Sequence, residues 1–235
     1  MALVFCAYKG GLVMSRTETA KRYVLFVISL FFAALGVAFT KRGELGVSPI
    51  SSVANIMSYK FSNFSLGTWL IIWNCLLIVG QIIILRRKFQ LIQLLQIPLS
   101  FLFGWFTDFG MWIVSFIPVN SYPIRIAMVV IGIVVLGFGI SLSVIANVIM
   151  NSGEAFVKAI SDTLDKEFGN IKIMFDVLCV IISIALSLIF FHFTIVGTRE
   201  GTVISALLTG VVVKFFSKKL REPLNAVLCH KSAVI

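Results

Sequence analysis

At 235 residues the chain is 59% hydrophobic and only 13% charged, with a mean hydropathy of +1.05, which excludes an ordinary soluble globular domain. The net charge of +10 does not signal nucleic acid, because the basic residues sit at the ends of apolar runs, where they orient a membrane protein and meet anionic headgroups. Cys6, Cys75, Cys179 and Cys229 have neither CxxC spacing nor neighbouring histidines, so neither a disulfide framework nor a metal site is expected.

Residues 1–13 lack the basic segment and cleavage site of a signal peptide. Met14-Ser15-Arg16 followed by Lys21-Arg22 looks like a more usual membrane-protein start, and residues 1–13 read as dispensable or as the product of an upstream start codon. Six apolar runs follow, at 23–40, 67–85, 91–117, 126–150, 173–196 and 202–216. The third contains Asp108, the fifth Asp176 and His192, and the sixth is short and carries Lys214. A span needs about 20 residues, so the sixth must borrow Lys218-Lys219-Leu220 by snorkelling. With the N-terminus inside, 15 lysines and arginines fall in inner segments and five in outer ones, which favours both termini in the cytoplasm.

The chain repeats itself. Leu45-Gly46-Val47-Ser48-Pro49-Ile50-Ser51-Ser52 is echoed 103 positions later by Val148-Ile149-Met150-Asn151-Ser152-Gly153-Glu154-Ala155. Gly36 pairs with Gly139 at the same offset, Asn74 with Asp176 at 102, and Asp108 with Lys214 at 106. Three spans per copy is an odd number, so the second copy enters the bilayer in the opposite sense. The expected fold is therefore all-α and polytopic, with six transmembrane helices as two inverted three-helix repeats, each with an additional short connector helix. The expected layout is a cytoplasmic segment 1–21, one transmembrane domain 22–220 (repeats 22–117 and 122–220) and a cytoplasmic tail 221–235. The connectors, 41–66 and 151–168, carry helical apolar spacing; whether they re-enter the bilayer or lie flat on it is open.

Together, Leu45-Gly46-Val47-Ser48-Pro49, Leu66-Gly67-Thr68-Trp69, Gly139, Asn151-Ser152-Gly153-Glu154 and Gly201-Thr202…Ala206-Leu207-Leu208-Thr209-Gly210 resemble the YczE/YyaS/YitT-type bacterial integral membrane proteins over about residues 22–220. The resemblance implies a polytopic inner-membrane protein and leaves its activity undefined. The family's second copy often has a Gly-Pro pair followed by Asp; Asn151-Ser152-Gly153-Glu154 keeps an acid and lacks the proline.

Each connector start presents backbone N–H groups beside hydroxyl or amide side chains, a device that binds polar or anionic groups. Ser48, Ser51, Ser52, Asn151 and Ser152 are therefore the candidate solute contacts; ordinary helix capping is the competing reading of Ser48. Asp176 and Asp108 are candidates for ion or proton coupling, because a carboxylate within a span costs about 2.5–3.5 kcal/mol unless it meets a partner or a wet cavity; Glu154, an acid in the first turn of the second connector helix, is the third, with ordinary stabilisation of that helix start as its competing reading. Lys172 is a ready partner for Asp176. No Walker loop, HExxH or GxSxG is present, so neither an enzyme nor a cofactor is expected. The expectation is a secondary transporter of a small polar or anionic solute, working by alternating access in contact with the lipid bilayer. The alternative is a non-transporting accessory protein that positions or stabilises a partner or export system. A homodimer or a protein partner is compatible with either.

Overall fold

The computed structural model describes residues 16–228, and the expectation about residues 1–13 lies outside them. The described residues form eight α-helices: α1 (Arg16–Arg42), α2 (Pro49–Lys60), α3 (Leu66–Leu85), α4 (Gln96–Ser115), α5 (Tyr122–Ala146), α6 (Ser152–Leu164), α7 (Phe168–Phe190) and α8 (Glu200–Leu228). Two 3-10 turns, Arg86–Lys88 and Leu91–Leu95, lead into α4. The local starts and stops are those the sequence dictates. Pro49 begins α2 where its missing N–H costs nothing. Ser65 caps α3 by accepting from Thr68 N–H. Asn147 closes α5 in the left-handed conformation.

Among the described residues, five helical stretches are long and apolar enough to cross a bilayer: Thr17–Arg42, Leu66–Lys88, Leu91–Ser115, Tyr122–Ala146 and Phe168–Phe190. α8 is not one of those five, yet it runs the full height of α1. Gly201 N–H donates to Leu45 O (2.8 Å) just beyond the end of α1, and Lys21 Nζ, near the start of α1, donates to Val227 O (3.1 Å). Several element boundaries differ from the sequence reading: α5 spans Tyr122–Ala146 rather than 126–150, α7 ends at Phe190 rather than 196, and two differences are larger in consequence. α7 begins at Phe168 rather than 173, and α8 continues to Leu228 rather than 216. In α8, helix-formers such as Lys218, Lys219, Leu220, Arg221 and Glu222 carry the helix past the end of its apolar run.

α1 and α5 form the central pair, crossing antiparallel with small residues at the contact. A Cβ added to Gly36 would lie 2.4 Å from Leu136 N, and one added to Gly139 would lie 2.4 Å from Ala33 N. Leu136 follows Ala33, and Gly139 follows Gly36, by the same 103 positions. The rest is arranged about this pair. α4 packs on α1 and α8 on α5, while α2 packs on α7 and α6 on α3. Phe26, Leu30, Ala33 and Val37 of α1 make the main core with Leu66, Leu70, Phe103 and Leu136. Leu76, Ile83, Trp105, Trp112, Phe116, Ile189, Leu207 and Val211 point outward and are exposed, an apolar surface suited to lipid.

Two arginines 103 positions apart secure opposite ends of the central pair. Arg22, on α1, donates to Ile145 O and Ala146 O at the end of α5 and pairs with Glu18 at 2.9 Å. Arg125, at the start of α5, pairs with Glu44 just past the end of α1 at 3.1 Å.

Candidate functional site at the meeting of the connector helices

The chain leaves α1 at one end of the central pair and reaches α2; it leaves α5 at the other end and reaches α6. The two helices nevertheless touch by their first turns. A Cβ at Gly153 would lie 3.0 Å from Ile50 Cδ1 and 3.2 Å from Ile50 Cγ2. Residues 45–48 and 147–151 thus run back towards the middle of the bundle before each helix begins. Two positive helix ends are brought together there.

Neither N-cap side chain closes its helix: Ser48 and Asn151 make no side-chain cap hydrogen bond. Ser48 Oγ instead donates to Ser51 Oγ (3.0 Å). Ser52, fully buried, donates to Pro49 O (2.6 Å) and faces the α7 backbone at Cys179 O. Ser152 is buried; its carbonyl accepts from Gln81 Nε2 (3.1 Å), and its hydroxyl shares a hydrogen with Ser100 (3.2 Å).

Asn151 and Glu154 line a cavity of about 10 Å³ together with Ser29, Leu30 and Ala33 of α1 and Gly139, Ile140 and Ser143 of α5. That volume is of the order of one water molecule. Glu154 touches the cavity and is half-buried, and among the described residues it has no hydrogen bond or ion pair. Burial pushes its carboxyl above the ordinary carboxylate range; Lys172 pulls it back and Asp176 adds to the rise. Lys172 and Asp176 are themselves paired one turn apart on α7. Folded protein therefore binds the Glu154 proton more tightly than unfolded chain does. The associated stability is full below the ordinary glutamate pKa and is lost as pH rises through the raised value. Glu154→Gln is expected to remove that slope from thermal unfolding measured against pH; an unchanged slope would mean that Glu154 does not cause it.

Asp108 stands apart from this centre. It accepts from Ser65 Oγ (2.6 Å) and Gly67 N–H (2.8 Å), anchoring the start of α3. Gly67 is required there, since a Cβ would lie 2.1 Å from Gly104 O and 2.6 Å from the Asp108 carboxylate. Asp108→Ala should cost about 0.5–2 kcal/mol, the worth of a helix-start acceptor, read as a lower unfolding temperature; no change would deny it that anchoring role.

Sequence reasoning missed several buried polar groups. Gln81 and Gln96 form a reciprocal amide pair (3.1 and 3.2 Å), and Gln81 is fully buried. Ser183 and Thr198, each 102 positions further on, form the corresponding contact at 3.0 Å. The indole N–H groups of Trp69 and Trp73 are buried without a partner among the described residues. The signal for Gln81 was available: like Asn74, it is a carboxamide inside an otherwise apolar run.

Residues 20–218 match a family described as a family of unknown function, DUF6198. The chain belongs to that family. It is also similar to a protein of Bacillus subtilis (strain 168) named "Uncharacterized membrane protein YczE", with 23% identity over 94% of this chain and 96% of that one. The YczE-type resemblance drawn from the glycine and serine motifs is thus supported over nearly the whole chain. No solved structure matches. With five apolar helices of spanning length and a membrane-protein relative, the chain is a multi-pass membrane protein.

Proposed function

We propose that the protein is a secondary carrier of a small polar or anionic solute, built as two inverted repeats that rock about the α2–α6 meeting point. The contact between Ile50 and Gly153 carries this reading. The two residues are counterparts at offset 103, so an exchange of the two halves maps their contact onto itself, as expected at a two-fold axis lying in the membrane plane. The same exchange turns Gly36–Leu136 into Gly139–Ala33, and the α2–α7 packing into α6–α3. α8 is then the sixth span, with Lys214, Lys218 and Lys219 reaching the cytoplasmic surface. In this reading the excess of lysine and arginine puts the α5–α6 end inside and the α1–α2 end outside.

Opposed helix starts, uncapped by Ser48 and Asn151, supply backbone donors to a negative or dipolar group. Trp73 packs between the α1 core and the α6–α7 cluster. Its free indole N–H, like that of Trp69 one turn away, suits an acceptor such as a carboxylate or carbonyl. The reading includes no chemical step.

Single cysteines at Ser48 and Asn151, in a chain otherwise free of cysteine, test it. In right-side-out and inverted vesicles treated with an impermeant thiol reagent, conditions that protect one position should expose the other. Invariant labelling of each position from its own side under every condition would refute alternating access.

A further inference from the structure

We infer that the cavity between α1, α5 and the first turn of α6 is a binding site for one small monovalent cation of sodium size, with Glu154 as its charged ligand. The inference rests on the carrier reading only for the ion's use in transport; the site itself stands on its own geometry.

The lining provides four oxygen-bearing side chains: Ser29, Ser143, Asn151 and Glu154. Ser29 Oγ donates its hydrogen to Phe26 O (2.6 Å), so its lone pairs remain for a cation. Asn151 does not spend its side chain on capping α6. Hydroxyl, amide and carboxylate oxygens around a cavity of about 10 Å³ form a hard-donor set that suits a small, hard cation. A proton alone would require only the carboxylate. The charge also fits a single ion. Lys172 and Asp176 neutralise one another on α7, and Lys158 is paired with Asp162 further along α6, leaving Glu154 as one uncompensated negative charge. The uncapped start of α6 beside the site opposes a cation, which limits it to low charge.

The other half shows why there is one such site and not two. At offset 103, Glu154 corresponds to Ser51, Asn151 to Ser48, Ser143 to Thr40 and Ser29 to Gly132. There the carboxylate is absent and the two serines bond to each other. The space is filled: a Cβ at Gly132 would lie 2.6 Å from Thr40 Cγ2. The first repeat has closed the position that the second keeps open.

The test is thermal unfolding of the purified full chain in detergent, titrated with sodium, potassium or choline chloride at constant ionic strength. Sodium should raise the unfolding temperature in a saturable way, choline should not, and potassium should act only at higher concentration. Glu154→Gln should abolish the sodium response. Ser29→Ala and Ser143→Ala, which keep the charge and the helices, should shift half-saturation about tenfold or more towards higher sodium, as expected for the loss of one ligand worth about 1.4 kcal/mol. Equal effects of the three salts, or a sodium response unchanged in Glu154→Gln, would overturn the site. Sodium-specific stabilisation with invariant labelling at Ser48 and Asn151 would retain the site and refute the carrier. Alternating labelling without any preference among salts would do the reverse.

Discussion

Gly139→Leu is expected to leave no folded protein, and Gly139→Ala to unfold well below the parent. At this crossing the three atoms nearest to a Cβ are all backbone: Ala33 N at 2.4 Å, Ala33 Cα at 2.9 Å and Ser29 O at 2.9 Å. No side chain can turn aside, so α1 must move off α5, and the core of Phe26, Leu30, Ala33 and Leu136 opens with it. Overpacking a core that can adjust costs about 1–3 kcal/mol; a collision between two helix backbones stands at or above the top of that range. Gly36→Ala, which would meet Leu136 N at 2.4 Å, should be equally harmful. Gly210→Ala is the control. Nothing lies within 4 Å of the new methyl, and replacing a helical glycine should stabilise by about 0.4–1 kcal/mol. Unfolding temperatures in detergent, followed by size-exclusion profile, check the series. A Gly139→Ala protein as stable as the parent would contradict the close crossing.

Arg22→Ala is expected to cost far more than Arg125→Ala, although the two arginines stand 103 positions apart at opposite ends of the central pair. The Arg22 and Glu18 side chains are only 9% and 16% exposed, and Arg22 also satisfies two carbonyls at the end of α5. Removing it takes the guanidinium from a mostly buried carboxylate and the donor from two helix-end carbonyls, a loss of about 1–3 kcal/mol for each buried group so affected. Arg125 and Glu44 are 34% and 47% exposed, and water replaces that pair for about 0–1 kcal/mol. Denaturation of the two variants side by side decides the matter; equal losses would mean that burial does not set the difference.

How much of this could be read in the sequence depended on whether the signal was local. The membrane class and the two connector helices were legible in composition and run lengths, and the recurrence of Gly36 at Gly139 and of Ser48-Pro49-Ile50 at Asn151-Ser152-Gly153 suggested the proposed doubled layout. Sequence left open whether the connectors lie flat, because their polar and apolar spacing fits either environment. The Ile50–Gly153 contact joins residues 103 apart and has no local trace. Asp108 looked like a pathway acid because its partners, Ser65 and Gly67, are more than 40 residues away. Asp176 and Lys172 were readable as a pair from their i, i+4 spacing. Glu154 was chosen for its place in the first turn of α6, but Ser29 and Ser143, which share its cavity, looked like ordinary small residues in apolar helices. Arg22 was counted only as an orienting charge, since its carbonyl acceptors on α5 lie 123 and 124 residues away.

The central claim is that helices entering from opposite faces meet in the middle of the protein, and a double-cysteine variant tests it most directly. In a chain otherwise free of cysteine, Ile50→Cys with Gly153→Cys should form an intramolecular disulfide under mild oxidation in native membranes, detected as a cleavage-resistant link between the two halves after proteolysis between them. Connectors lying flat on opposite surfaces would be separated by the bilayer core of about 30 Å. Failure to link by oxidation and by a short bifunctional thiol reagent, in a protein that still folds and inserts, would contradict the account.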